Sequence, residues 1–119
     1  MSGLQQHGGG CHCGAVRYTV ATDLSQVIEC NCSHCKAKGF LLTFVPPEQF
    51  ELLQGADKLA EYRFNTRKIR HLFCQDCGVQ PLAEGKGADG ASQWAINVRC
   101  LDDVDLGALA PMQWDGASQ

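Results

Sequence analysis

The sequence lacks any hydrophobic run that could cross a membrane, because no stretch approaches about 20 consecutive apolar residues. Its first ten residues, MSGLQQHGGG, also lack the basic and apolar segments of a secretory leader. We therefore expect a cytoplasmic protein with no membrane partner. Thiols stay reduced in that compartment, so the eight cysteines need a role other than disulfide formation.

The chain also lacks the excess of positive charge that is typical of nucleic-acid-binding domains, since its net charge is −3. Nucleic acid is therefore not expected as a partner. No Lys or Arg follows Cys100, and the basic residues gather in the middle of the chain. They are Lys58, Arg63, Arg67, Lys68, Arg70 and His71. Two interpretations of this cluster remain open: a solvated strand face, or a site for an anionic small molecule.

Aromatic residues make up only 8% of the chain, which predicts a modest core, and 13 glycines indicate a loop-rich β protein. A length of 119 residues is that of one domain, so we expect a single, mainly β domain over residues 1–119. Strands are predicted from alternating or apolar runs at 15–20, 26–29, 40–45, 70–73 and 93–98. A hairpin is predicted from 50–53 and 59–64, flexible segments at 7–10 and 84–92, and short helical turns at 46–50 and 102–110.

Seven of the eight cysteines fall into three closely spaced groups. The groups are Cys11-His12-Cys13, Cys30-Asn31-Cys32-Ser33-His34-Cys35 and Cys74-Gln75-Asp76-Cys77. Such spacing is typical of zinc sites. A zinc–sulfur bond of about 2.3 Å in a tetrahedron puts sulfur atoms roughly 3.8 Å apart. Residues i and i+2 of a flat strand are roughly 6.6 Å apart, so a Cys-x-Cys pair chelates one ion only where the chain bends. Glycines on both sides of the first pair favour such a bend.

The grouping of these cysteines into sites is not settled by spacing. A four-thiolate site from the first and third groups would leave Cys30, Cys32 and Cys35 as a three-thiolate site with an open fourth position. The second group could instead supply two ligands to Cys74 and Cys77. Two sites are favoured over one. His12 and His34 are expected to lie outside the ligand sets, and Cys100 is interpreted as a small apolar residue outside both.

Four segments together resemble the glutathione-dependent formaldehyde-activating enzyme family, which also includes centromere protein V. They are GGGCHCGAVRYTV, CNCSHCKAKGF, EYRFNTRKIRHLFCQDCGVQP and INVRCLD. The resemblance covers about residues 8–102 and leaves 103–119 as a C-terminal tail. It implies a fold of zinc-stapled antiparallel sheets, called a β-tent, with two zinc ions per chain. The implied ligands are Cys11, Cys13, Cys74 and Cys77 for a structural zinc and Cys30, Cys32 and Cys35 for a catalytic zinc.

The resemblance also implies an activity, that of a carbon–sulfur lyase joining glutathione to formaldehyde as S-hydroxymethylglutathione. Candidates to hold the carboxylates of glutathione are Arg63, Arg67, Lys68 and Arg70. An exposed three-thiolate site is prone to oxidation and metal loss, so a partly empty second zinc site would be consistent with this interpretation.

One departure from the family concerns substrate choice. Many members carry Ser-Phe-Tyr where this chain has Pro81, Leu82 and Ala83, so an aromatic wall and a hydroxyl are missing. A related thiol or a different carbonyl compound therefore remains open as substrate. The alternative function is a non-catalytic zinc-binding module that uses its β surface for a partner.

Overall fold

Two β-sheets and one short helix make up the described part of the chain. The computed structural model describes residues 4–24, 26–31, 33–63, 69–86 and 90–114. The elements are β1 (Gln5–Gly10), β2 (Arg17–Thr22), β3 (Ile28–Cys30), α1 (Ser33–Lys38), β4 (Leu42–Val45), β5 (Phe50–Gln54), β6 (Leu59–Tyr62), β7 (Arg70–Cys74), β8 (Leu82–Lys86), β9 (Ser92–Asn97) and β10 (Met112–Trp114). Short 3₁₀ turns lie at Pro47–Gln49, Ala56–Lys58, Val98–Cys100 and Leu106–Ala108. The predicted mainly β class is confirmed.

The strands form a three-stranded sheet, β1-β2-β5, and a seven-stranded sheet, β10-β3-β4-β9-β8-β7-β6. Every strand pairing within the described residues is antiparallel except that of β3 with β10, which is parallel. The larger sheet is therefore mixed rather than purely antiparallel. Its edge strand β10 comes from the stretch predicted as a C-terminal tail, and the Met112 amide donates to the Val27 carbonyl at 2.7 Å.

The hydrophobic core lies between the two sheets. Alternation along β2 places Tyr18 and Val20 on its inner face, where both are almost completely buried. They pack in one cluster with Leu72, Leu82 and Ile96 of the larger sheet. Burial of these apolar side chains holds the sheets face to face.

The opposite face of the seven-stranded sheet carries a different set of side chains. Residues directly opposite each other on neighbouring strands share a face of the sheet. The registers of β4, β9, β8, β7 and β6 therefore align one row across this outer face. The row consists of Phe44, Ala95, Ala83, His71 and Tyr62.

The predicted strands at 15–20, 26–29, 70–73 and 93–98 are confirmed with shifts of one or two residues. The run 40–45 forms β4 only from Leu42, and it is not buried throughout, because Phe44 on the outer face is 40% exposed. The turn at 46–50 is a 3₁₀ turn with proline at its start. The helix predicted at 102–110 is a single 3₁₀ turn, where the Asp105 carboxylate accepts from the Gly107 amide at 3.1 Å.

The predicted hairpin of 50–53 with 59–64 is wrong. β5 pairs with β2, whereas β6 pairs with β7, so the two strands belong to different sheets. Gly55 adopts a left-handed conformation with φ 93° and leads into the 3₁₀ turn that follows. Gln75 then donates to the carbonyls of Asp57 and Lys58, which directs the chain to the second sheet.

The flexible segment predicted at 7–10 is also wrong, because these residues form the end of β1. Close approach rather than flexibility explains the glycines. A Cβ at Gly10 would lie 2.0 Å from the Val16 carbonyl oxygen, and one at Gly9 would lie 2.8 Å from the Tyr18 hydroxyl. The loop predicted at 84–92 begins later than expected, since Glu84 to Lys86 extend β8, and residues 87–89 lie outside the described residues.

Candidate functional site

Four cysteine thiols converge where the small sheet meets the larger one. The sulfur atoms of Cys11, Cys13, Cys74 and Cys77 all lie within 4.8 Å of one another. Cys13 Sγ is 3.6 Å from Cys11 Sγ and 3.7 Å from Cys74 Sγ. These are the four residues that the family resemblance groups together and that spacing alone did not.

Two tight turns place these thiols. Cys11 and Cys13 lie in the connection from β1 to β2, where Gly14 has φ 84° and the Cys11 amide donates to the Val16 carbonyl. The chain thus bends as a Cys-x-Cys chelate requires.

Cys74 ends β7 and begins the second turn. The Gly78 amide donates to the Cys74 carbonyl at 2.7 Å, and Gly78 has φ 80°. This turn presents Cys74 and Cys77 from one end, as a two-cysteine knuckle does.

Backbone amides favour the thiolate form of two of these cysteines. Burial alone would raise the pKa of Cys11, but the Val16 amide, which lies 3.3 Å from its sulfur, and hydrogen bonds with the Cys13 and Cys74 thiols together bring the pKa below the usual value. Hydrogen bonding from the Val79 backbone lowers the pKa of Cys77 to about 6. Thiolates are the form that binds a metal ion.

The donor set fits a tetrahedral metal ion. The two measured sulfur separations match the roughly 3.8 Å expected of ligands on one zinc ion. The cluster can therefore hold a metal ion, which would connect the β1–β2 turn to the end of β7. His12, between the first two cysteines, is exposed.

The second cysteine group lies around α1. Cys30 is the last residue of β3 and is half-buried, and Cys35 is a buried residue of α1. Cys32 lies outside the described residues. Among the described residues, neither Cys30 nor Cys35 belongs to the four-thiol cluster.

α1 contacts the outer face of the larger sheet through His34, the residue before Cys35. The His34 ring lies 4.3 Å from the His71 ring and 5.6 Å from the rings of Tyr62 and Phe40, measured between centroids. His34 is therefore part of an aromatic cluster with Phe40, Tyr62 and His71. Burial, and then the positive charge of Lys38, lowers the pKa of His34.

His71 is neutral at pH 7, and a neighbouring side chain determines which ring nitrogen carries its proton. Burial is the main reason that its pKa falls to about 4, and the charges of His34 and Lys38 add to the effect. The side-chain nitrogen of Gln80 lies 3.3 Å from Nδ1 of His71. An amide nitrogen only donates, so Nδ1 accepts and the neutral ring carries its proton on Nε2.

Two of the four residues predicted to bind carboxylates, Arg63 and Arg70, lie within the described part of the chain. Arg63 and Arg70 both pair with Glu61, and Arg70 also pairs with Glu84. These pairs lower the pKa of Glu61, with the Arg63 hydrogen bond as the largest cause. Arg67 and Lys68 lie outside the described residues.

Cys100 ends the 3₁₀ turn Val98–Cys100. Its sulfur lies 3.9 Å from the Gln80 carbonyl oxygen. Burial is the largest cause that raises its pKa to about 11. Cys100 lies outside the four-thiol cluster.

The fold and the thiol cluster define a class: small β proteins in which a four-cysteine, metal-binding site joins two sheets. A family model described as glutathione-dependent formaldehyde-activating enzyme matches residues 6–114. The chain belongs to this family, whose members are enzymes acting on formaldehyde and glutathione. A solved structure of a Rhodobacter sphaeroides protein is 28% identical in sequence, with a TM-score of 0.78. The match covers 92% of this chain and 99% of that one.

The expectation of no membrane partner can be compared with the helices of the described residues. α1 is six residues long, and no helix in that part of the chain has the length and apolar character needed to span a bilayer.

Sequence reasoning placed His71 in a basic cluster and did not identify it with Gln80 and His34 as one site. Strand alternation shows that His71 and Phe73 share a face of β7, but not what covers that face. His34 and His71 come from distant parts of the chain, and their rings meet only because α1 lies on the outer face of the sheet. Predicting this contact would have required knowing which distant segments of the chain meet in the fold.

Proposed function

We propose that this chain is a zinc-dependent carbon–sulfur lyase that joins a thiol to an aldehyde and cleaves the adduct. Glutathione and formaldehyde, or a related thiol and carbonyl compound, are the substrates. The observation that carries the proposal is the family match across residues 6–114. The position of α1 supports it as well, because the ring of His34, the residue before Cys35, lies 4.3 Å from that of His71.

Two zinc ions are proposed. Cys11, Cys13, Cys74 and Cys77 would hold a structural ion, and Cys30, Cys32 and Cys35 a catalytic one with an open position. When bound there, zinc would supply the positive charge that keeps a substrate thiol deprotonated near neutral pH. A reducing compartment such as the cytoplasm would keep these thiols available.

The reaction balances without any other reactant. The thiolate sulfur of the substrate attacks the carbonyl carbon, so a C–S bond forms and the C=O π electrons move to oxygen. The oxygen then takes the proton that the thiol released, and the reverse sequence cleaves the adduct. Negative charge develops on that oxygen, where a fixed hydrogen-bond donor stabilises it.

His71 is the proposed donor to this oxygen. Gln80 holds Nδ1 as an acceptor, so Nε2–H is the donating group. A neutral imidazole donates without the cost of burying a charge next to His34. Arg67 and Lys68 are proposed to hold glutathione carboxylates, and Arg63 and Arg70 could do so only by exchanging their contacts with Glu61 and Glu84.

The proposal also treats residues 1–119 as one domain with its family-like core at 8–102. The pairing of β10 with β3 supports including the residues that follow the core.

NMR exchange spectroscopy tests the activity directly. Glutathione, formaldehyde and their adduct interconvert spontaneously, and the zinc-loaded protein should accelerate that exchange in proportion to its concentration. A rate equal to that without protein, with two zinc ions per chain, would reject the assignment. It would leave the non-catalytic zinc module as the remaining interpretation.

A pair of variants separates catalysis from folding. Cys30→Ser should bring exchange to the spontaneous rate and leave one zinc per chain. The matched control is Cys100→Ser, which changes a half-buried thiol outside both proposed sites and should keep two zinc ions and the activity. Equal loss of activity in both variants contradicts the proposed role of Cys30.

A further inference from the structure

A groove of about 100 Å³, partly open to solvent, lies on the outer face of the seven-stranded sheet. Its lining includes Phe44, Ile69, Ala83, Gly85 and Ala95. This volume is below the roughly 300–1,000 Å³ of drug-sized ligand pockets, so the groove can take only a small substituent.

Small residues create this space. Ala83 pairs with Ala95 across β8 and β9, and Ala95 pairs with Phe44 across β9 and β4, so the three share one face. A Cβ on Gly85 would lie 3.4 Å from the Ile69 side chain, which places Ile69 over this glycine. Phe44 and Ile69, which are 40% and 48% exposed, therefore form walls above a floor of alanine and glycine.

The groove lies beside His71, the proposed hydrogen-bond donor to the substrate oxygen. Ala83 lies directly opposite His71 in the pairing of β7 with β8, on the same face. The His71 ring in turn lies 4.3 Å from that of His34, which precedes Cys35. A substrate carbon near His71 would thus have its substituent next to Ala83.

We propose that this groove binds the apolar substituent of an aldehyde larger than formaldehyde, with about three or more carbons beyond the carbonyl. The inference rests on the proposed function and specifies its substrate class. The reaction is unchanged: the thiolate sulfur bonds to the carbonyl carbon, and the carbonyl oxygen takes the proton.

The chemistry of the lining favours the aldehyde substituent over the glutathione moiety. Glutathione carries carboxylates, which arginine forks bind best. Three polar residues also border the groove: Glu84, Lys86 and Gln93. Glu84 is already paired with Arg70, and Glu84 and Lys86 alternate with Ala83 and Gly85 along β8, so the backbone directs both away from the groove floor. Gln93, opposite Gly85, is neutral. Phe44, Ile69, Ala83 and Ala95 offer no polar side-chain atom to a carboxylate.

Binding of stable adduct analogues tests the groove without turnover. S-butylglutathione and S-methylglutathione differ only in their apolar substituent. We expect the butyl compound to bind about tenfold more tightly in a calorimetric titration, a gain at the low end for added methylenes because the groove is open. Its NMR titration should shift the amide signals of Ala83 and Ala95. Equal affinities, or shifts absent from these residues, would overturn the inference.

Variants connect the preference to the groove. Ala83→Phe fills the floor and should reduce the preference for the butyl compound to less than twofold. Because Ala83 is buried and a larger residue could disturb the sheet, Phe44→Ala provides a second test that removes an exposed wall. The control is Ala56→Phe, on the exposed turn between β5 and β6, and it should keep the preference. A preference retained in Phe44→Ala contradicts the proposal.

Turnover distinguishes this inference from the proposed function. Acceleration over the spontaneous rate should be about tenfold greater for butanal than for formaldehyde. Acceleration with formaldehyde alone overturns only the groove assignment. Absence of acceleration with either aldehyde, in protein carrying both zinc ions, rejects the proposed function and the inference with it.

Discussion

At the residue scale, His71 shows how burial and one hydrogen bond define a chemical role. The sequence presents it beside Arg70, within a run of basic residues. In the fold it faces Gln80 and His34, and its pKa falls to about 4, so it is neutral where the sequence indicates a basic cluster. Charge predicted from residue type fails where a side chain is buried.

The pH dependence of stability should report this neutral state. The pKa of His71 is lowered from 6.5, so the unfolded chain binds more protons between pH 6.5 and about 4. The contribution of His71 to the free energy of unfolding should therefore be constant above pH 6.5 and decrease as pH falls toward 4. We expect His71 to account for about 2 kcal/mol of this loss, less than the full shift implies because solvent near Tyr62 screens the charge.

Urea unfolding of the wild type and of His71→Asn measures this contribution. The variant cannot titrate at this position, so its stability should decrease less between pH 6.5 and 4. Both proteins carry the same cysteines, so pH-dependent metal loss cancels in the difference. Parallel curves would show that His71 is protonated equally in both states.

Gly10 is a second residue whose role depends on distance rather than on type. A Cβ at this position would lie 2.0 Å from the Val16 backbone oxygen, the same oxygen that accepts the Cys11 amide. Gly10→Ala should therefore destabilise the protein by about 2 kcal/mol and weaken metal binding at Cys11.

The control for Gly10→Ala is Gly107→Ala. Its Cβ would lie 3.4 Å from the movable Asp105 carboxylate, so the change should cost less than about 0.5 kcal/mol. Thermal unfolding of both variants with saturating zinc provides the comparison. Similar unfolding midpoints for the two variants would mean that β1 and β2 can move apart at Gly10 without loss of stability.

At the element scale, the sequence predicted most strands correctly and their partners less well. Alternation in β2 and β9 is a local signal, and both strands were predicted. β5 and β6 are separated by a short turn, as in a hairpin, yet they join different sheets. Gly55 and the contacts of Gln75 determine this change of sheet, and those contacts involve residues about 18 positions apart.

The cysteine turns were predicted better, because their spacing reflects the geometry of a chelate. The turn after β7 ends with Gly78 at positive φ, as a two-cysteine knuckle requires. The spacing of the cysteines could not show that this turn combines with Cys11 and Cys13, because Cys13 and Cys74 are 61 positions apart. The family resemblance supplied that combination.

The turn that begins at Cys74 predicts a large loss of stability when this one cysteine is replaced by serine. Cys74 is completely buried and its sulfur is 3.7 Å from that of Cys13. Cys74→Ser should lose the structural zinc and leave the β1–β2 turn without its connection to β7, so the domain should unfold at 37 °C. Circular dichroism with zinc analysis measures both effects.

The comparison variant for Cys74→Ser is Cys30→Ser, which should lose one zinc and keep the fold. If the two variants unfold at the same temperature, the division of the cysteines into a structural and a catalytic set is wrong.

At the scale of the whole molecule, the two proposed metal sites have different relations to folding. The four-thiol cluster connects the small sheet to the large one, whereas Cys30 and Cys35 are five positions or fewer from any other member of their group. An ion in the first site closes a long loop and one in the second closes a short loop. The entropy that a crosslink removes from the unfolded chain rises with loop length, so the first ion should contribute more to stability.

This difference predicts two steps of metal loss. A zinc-loaded protein treated with increasing chelator should first release one ion with activity lost and circular dichroism unchanged. The second ion should leave at a higher chelator concentration together with the fold, because four thiolates and the amides around them hold it. Cys30→Ser should show only the second step. Release of both ions in one step, together with unfolding, would mean that the site around α1 also supports the fold, and the separation of catalysis from structure in this molecule would have to be abandoned.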